Sequence, residues 1–151
     1  MRRHLEKPET WILIHGFFLA FLWEILQMPF FYSTENLSAW EIIKNCLFAT
    51  LGDAGIMVFA YWTTAKLSAN ALWLRRWHVR AILIYLGIGL TVTIAIEYFA
   101  ATTDWGWKYS SSMPTFATIG LVPIVMWIIV PILTLTLARQ SLLGSKGSTG
   151  D

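Results

Sequence analysis

The chain has 151 residues, of which 56% are hydrophobic and 13% charged, with a mean hydropathy of +0.58. That is more apolar surface than a soluble domain of this length can bury. A net charge of +2 with scattered basic residues excludes a nucleic-acid footprint, the single cysteine, Cys46, excludes an internal disulfide, and no Cys/His spacing points to a metal site. The expected architecture is all-α: a polytopic membrane protein folded as a four-transmembrane-helix bundle.

Residues 1–10 are polar and basic, with Pro8 suited to a first helical turn and Glu9 to the positive end of the helix dipole. Span one is expected over about 11–32. It is too long for a signal-peptide core and lacks a small-residue cleavage site, so it is read as uncleaved. Ser38-Ala-Trp-Glu41 has the form of a capping box and opens span two, about 42–66. Residues 66–80 carry Lys66, Arg75, Arg76 and Arg80 around Trp73 and Trp77. This pattern fits topology-setting charge with aromatic anchors, or a segment lying along an anionic membrane surface.

Span three is expected over about 81–101. The loop after it holds Trp105, Trp107, Lys108, Tyr109 and Pro114, and span four, about 116–138, has no charged residue. These spans form one membrane domain over residues 1–140, and the Gly/Ser-rich stretch 141–151 reads as a flexible tail. Alternating the spans puts Arg2, Arg3, Lys7, Lys66, Arg75, Arg76, Arg80, Arg139 and Lys146 on one side and only Lys44 and Lys108 on the other. The positive-inside rule then makes both termini cytoplasmic.

Three acids fall within spans, where an ionised group costs ~2.5–3.5 kcal/mol on insertion scales. At ~1.5 Å rise per residue, Glu24 lies roughly 12 Å below the outer end of its span. Asp53 lies as deep or slightly deeper, and Glu97 roughly 6 Å below its end on the same arithmetic. Helical spacing places Gly16, Ala20, Glu24 and Gln27 on one face of span one. Asn45, Ala49, Gly52, Asp53 and Ile56 share a face of span two, and Gly89, Thr93 and Glu97 share one of span three. Small residues beside polar ones mark close helix packing, so the acids are expected to converge inside the bundle.

Pro29 removes the amide hydrogen that would bond the Ile25 carbonyl, and Pro123 and Pro131 do the same for Ile119 and Trp127. Gln27 is placed to serve the first of these. Gly120, Pro123, Trp127 and Pro131 share one face of span four. Glu24, Asp53 and Glu97 are the candidate catalytic acids; Gln27, Asn45, Thr93, Trp107, Tyr109 and Trp127 are the candidate ligand-binding residues. Each acid has a plain alternative as a helix-packing residue. Lys44 and Lys108 are the nearest expected counter-ions, and Trp105 to Tyr109 form an aromatic belt or a lid over the acids. His4, His15 and His78 lie far from the acids, with His15 expected to be buried and hydrogen-bonded.

Glu97, then Trp107-Lys-Tyr109-Ser, then Gly120-Leu-Val-Pro123 and Trp127, resembles a motif of membrane carotenoid hydratases and cyclases over the C-terminal third. Glu24-Ile-Leu-Gln27-Met-Pro29-Phe-Phe and Trp127-Ile-Ile-Val-Pro131 are similar to motifs of the four-span sterol isomerase and sigma-2 receptor family, although here the glutamate motif stands in the first span. As a whole the chain resembles small uncharacterised four-span bacterial membrane proteins, which implies an inner-membrane location and no particular activity. Both partial resemblances imply acid chemistry on isoprenoid double bonds.

Three functions fit this reading: an enzyme or binding protein for a hydrophobic, isoprenoid-like molecule, a cation- or proton-coupled carrier working as a homodimer, or an accessory subunit of a larger membrane complex. Membrane lipids are partners in all three, and no motif identifies a cofactor.

Overall fold

The structure, a computed structural model, describes residues 7–31, 37–103 and 107–147. Helix α1 spans Pro8–Gln27, with Pro8 and Glu9 in its first turn as expected. It ends where Pro29 can no longer donate, and the chain tightens into a 3-10 turn, Met28–Phe30. The Ile25 carbonyl is taken there by the Met28 N–H, an i to i−3 bond of the kind that closes helix ends. This corrects the expectation that the Gln27 side chain would serve that carbonyl.

Helix α2, Ala39–Leu67, opens on the capping box read from the sequence. The Glu41 N–H donates to Ser38 Oγ at 3.3 Å, and the Ser38 N–H donates to Glu41 Oε2 at 2.9 Å. Helix α3 covers Val79–Thr102 and helix α4 Leu121–Gly147. All four are long and apolar enough to cross a membrane, and they turn large side chains such as Phe18, Phe48, Leu26 and Leu83 outward. Such a surface suits lipid rather than water as the neighbour, as in a multi-pass membrane protein.

Helix α4 starts five residues later than expected because two short strands precede it, β1 Thr115–Phe116 and β2 Ile119–Gly120. They pair antiparallel, Thr115 with Gly120 and Phe116 with Ile119. Ala117 and Thr118 make the turn at φ 48° and 68°, the left-handed region a two-residue hairpin of type I′ requires. Pro123 therefore sits in the first helical turn and interrupts no helical bond, whereas Pro131 lies inside α4. At its other end α4 runs on to Gly147, into the stretch expected to form a flexible tail. Leu142 is buried, and Ser141 Oγ hydrogen-bonds His15 Nε2 at 2.9 Å.

The helices form a ring in chain order, α1 packing on α2 and α4, and α3 on the same two. Two glycines set the spacing. A Cβ on Gly16 would come within 2.9 Å of Met57 Sδ, and one on Gly89 would strike the Trp127 ring. The other small residues behave differently: Gly52 and Gly55 have no atom near an added Cβ, and Asn45, Ala49 and Gly52 are exposed. That face of α2 is therefore not packed against another helix among the described residues of the chain.

The turn between α2 and α3 closes the end of the bundle at which α1 begins. Trp73 and Leu74 are buried, with Trp73 between the rings of Tyr61 and Tyr85 at 5.4 and 5.8 Å. Trp73 is thus a core plug and not the interface anchor the sequence led us to expect. Trp77 keeps an exposed position, with the Arg139 guanidinium 5.6 Å from its ring centre.

Candidate functional site

At the opposite end of the bundle, the four helices enclose a cavity of about 580 Å³, within the range of small-molecule sites. Glu24, Gln27, Asn45, Asp53, Thr93, Glu97, Trp107 and Trp127 all line it. All three acids lie in the outer half of their spans, and helix packing brings them to one cavity. Tyr109, the remaining candidate, stands behind Glu97 and does not line the wall.

On α1, Trp23 Nε1 donates to Gln27 Oε1 at 3.0 Å and Gln27 Nε2 donates to Glu24 Oε1 at 2.7 Å. The i, i+3 and i, i+4 spacing of a helix makes this relay possible, and it fixes the amide and the carboxyl together. Asp53 of α2 lines the same cavity, together with Glu24 and Trp127.

Glu97 of α3 has separate partners. Trp107 Nε1 donates to Glu97 Oε2 at 3.2 Å, and the Tyr109 hydroxyl donates to the same oxygen. The Tyr109 oxygen in turn accepts the Gly120 N–H at 3.1 Å. A Cβ on Gly120 would lie 3.1 Å from the Tyr109 ring and 3.2 Å from Met113 Sδ, so the absence of a side chain there lets the ring come close. Burial, with the Glu97 hydrogen bond second, pushes the Tyr109 phenol up to about 12.

The aromatic loop is strapped to the end of α1. Ser110 N–H donates to the Phe30 carbonyl at 2.9 Å, Ser110 Oγ donates to the Pro29 carbonyl at 3.0 Å, and Phe31 forms an isolated antiparallel bridge with Tyr109. Pro29 thus has a role beyond ending a helix, since its own carbonyl receives the loop. Trp107 closes part of the cavity from this loop, as a lid reading requires. Trp105 lies outside the described residues.

None of the three acids has a cationic partner among the described residues. Lys44 and Lys108 are exposed and do not act as the counter-ions proposed for them from sequence. No three His, Cys, Asp or Glu side chains stand close enough to hold a metal ion among the described residues. Thr93, 6% exposed, has a hydroxyl with no hydrogen-bond partner, which is uncommon for a buried polar group.

The wall is open on one side. Asn45, Ala49 and Gly52 of α2 and Ile96 of α3 line the cavity and are themselves exposed. The opening therefore lies between α2 and α3, on a lateral face of the bundle. Sequence reasoning missed Met28, Phe31, Cys46, Ile96 and Met126 as lining residues. Helical spacing could have found most of them: Met28 follows Glu24 by four residues, Cys46 precedes Ala49 by three and Asp53 by seven, Ile96 follows Thr93 by three and Met126 follows Pro123 by three, whereas Phe31 lies beyond the helix and lines the cavity through tertiary packing.

These features define a class: a four-helix membrane bundle with a laterally open, carboxyl-lined cavity. In comparisons with known proteins, no protein-family model, curated protein or solved structure matches the chain.

Proposed function

We propose that the protein binds a hydrophobic molecule taken from the bilayer and holds its polar end against Glu24, Asp53 and Glu97, with a carboxyl acting as hydrogen-bond donor or general acid. The observation carrying this reading is the cavity of about 580 Å³ that opens sideways between α2 and α3. A ligand that partitions into lipid can enter there without crossing water.

The lining also narrows the ligand. Its polar side chains are three carboxyls, the Gln27 and Asn45 amides and the Thr93 hydroxyl, with no Lys, Arg or His, so nothing in it offers a cation to an anionic head. A hydroxyl or another hydrogen-bond-donating end fits. The rings of Trp107, Trp127 and Phe31 offer apolar faces to the remainder. An isoprenoid is the ligand class implied by the two motif resemblances, which converge on residues of this one cavity. The nine-to-two distribution of basic residues supports an inner-membrane protein with both termini cytoplasmic and the cavity facing the outer leaflet.

Native mass spectrometry of protein released from membranes tests the reading. Wild type is expected to retain a copurifying hydrophobic molecule, Gly52→Leu to lose it by obstructing the opening, and Glu24→Gln to bind it more weakly. Wild type free of such a molecule, or equal occupancy in all three proteins, would refute the proposal.

A further inference from the structure

The turn between α2 and α3, at the other end of the bundle, carries a feature with no part in the acidic cavity. Between Lys66 and Arg80 there are four basic residues and no acid. The chain here is fixed. Trp73 and Leu74 are buried in the bundle, the Tyr61 hydroxyl donates to the Ala71 carbonyl at 2.6 Å, and Arg75 N–H donates to the Leu72 carbonyl at 3.0 Å.

On the outer side of this turn is a smaller cavity, about 300 Å³, lined by Asn70, Leu72, Arg75 and Arg76. Its polar lining is made of donors. Asn70 Oδ1 already accepts the Leu72 N–H at 3.0 Å, which leaves the Asn70 amide to donate. The two guanidiniums can only donate, and Arg76 has no partner among the described residues. Glu9 of α1 and Arg75 both act electrostatically on the Tyr61 hydroxyl.

Apolar surface adjoins the cavity. Leu72 is part of its wall and is exposed. Val79 and Leu83, one turn apart on α3, are exposed on the same side of that helix. Donors able to take a phosphate thus stand in the turn that leads into α3, and the first turns of that helix expose Val79 and Leu83. A free anion would use only the first part of this arrangement, whereas a lipid uses both.

We propose that the turn Asn70–Arg76 is a binding site for an anionic phospholipid, its headgroup phosphate held by Arg75, Arg76 and the Asn70 amide and an acyl chain lying along Val79 and Leu83. Arginine suits the role because its planar fork pairs with two phosphate oxygens at once. Basic side chains at a membrane surface gain roughly five-fold in anionic-lipid affinity per residue.

Native mass spectrometry of the full chain in neutral detergent, titrated with phosphatidylglycerol or phosphatidylcholine of the same acyl chains, tests this site. A one-to-one phosphatidylglycerol adduct is expected to exceed the phosphatidylcholine adduct by at least about ten-fold for two arginines. Arg75→Gln/Arg76→Gln should abolish that preference, Arg75→Lys/Arg76→Lys should retain part of it, and Lys108→Gln, which removes one charge at the far end, should leave it unchanged. Helical circular dichroism shows whether each variant is folded. Equal binding of the two lipids by wild type, or a preference that survives the double glutamine variant, overturns the proposal. So does displacement of the adduct by millimolar inorganic phosphate, which would make this a site for free anions.

Discussion

Gly89→Ala places a methyl group 2.5 Å from Cε3 of the Trp127 ring and closer still to Cζ3, and neither side can yield easily. The ring is buried and forms part of the cavity wall. Carbon atoms settle at about 3.5–4.0 Å, so relieving the overlap requires α3 and α4 to separate by about 1 Å. Overpacking of this kind costs about 1–3 kcal/mol, and a rigid neighbour puts Gly89→Ala at the upper end. Gly87 is the internal control: it lies two residues away on the same helix, and an added Cβ there meets nothing.

Gly87→Ala is therefore expected to be neutral or to stabilise by about 0.5–1 kcal/mol through helix propensity. Unfolding of both variants in mixed micelles, followed by tryptophan fluorescence, should separate them by about 2–4 kcal/mol, the sum of the two effects. Equal midpoints would refute the close approach of α3 to Trp127. With it would go the wall on that side of the cavity.

Three further outcomes are expected. The Tyr109 phenol, raised to about 12, is favoured as the neutral form by the fold, so its contribution to stability is complete below about 10, the ordinary tyrosine value, and lost as pH rises through about 12. Ultraviolet titration of tyrosinate should show Glu97→Gln moving this phenol back towards 10, and an unmoved titration would deny the hydrogen bond. Tyr109→Phe leaves the Gly120 N–H without a partner and Glu97 Oε2 with the Trp107 indole alone, and should cost about 1–3 kcal/mol, the range for a buried donor left unsatisfied, measured by the same micellar unfolding. Replacing Ala117-Thr118 by Asn-Gly supplies residues suited to φ > 0 and should stabilise the β1–β2 hairpin by about 1 kcal/mol or more. Slower amide exchange at Phe116 and Ile119 would register it.

The resemblance of Glu24 through Pro29 to one family and of Glu97 through Trp127 to another takes on a spatial sense in this fold. The two segments are far apart in sequence, yet Ser110 is bonded to Pro29 and Phe30, and Phe31 lies against Trp107 and Tyr109 with ring centres 6.5 and 5.8 Å away. Both motifs therefore build one wall of one cavity. Whatever chemistry each implies by analogy would operate on the same bound molecule.

The four spans, the Ser38–Glu41 capping box and the faces bearing Glu24, Asp53 and Glu97 were legible in the chain itself. Hydropathy, the three-to-four-residue period and local hydrogen-bond chemistry are properties of adjacent residues, so sequence determines them. The partners of the acids were not legible. Depth along a helix predicts that Glu24, Asp53 and Glu97 lie near one another, but helix rotation and loop path decide that Glu24 is bonded by Gln27 while Glu97 is held by Trp107 and Tyr109. The stripe Asn45, Ala49, Gly52 shows the same limit. Small residues permit a close helix contact without compelling one, and here they border an opening while Gly89 takes the contact. Trp73, equally suited by composition to a membrane interface, is instead drawn inside because Tyr61 and Tyr85 leave a space its ring fills. Such choices depend on which surfaces fit one another, and only the tertiary structure brings those surfaces together.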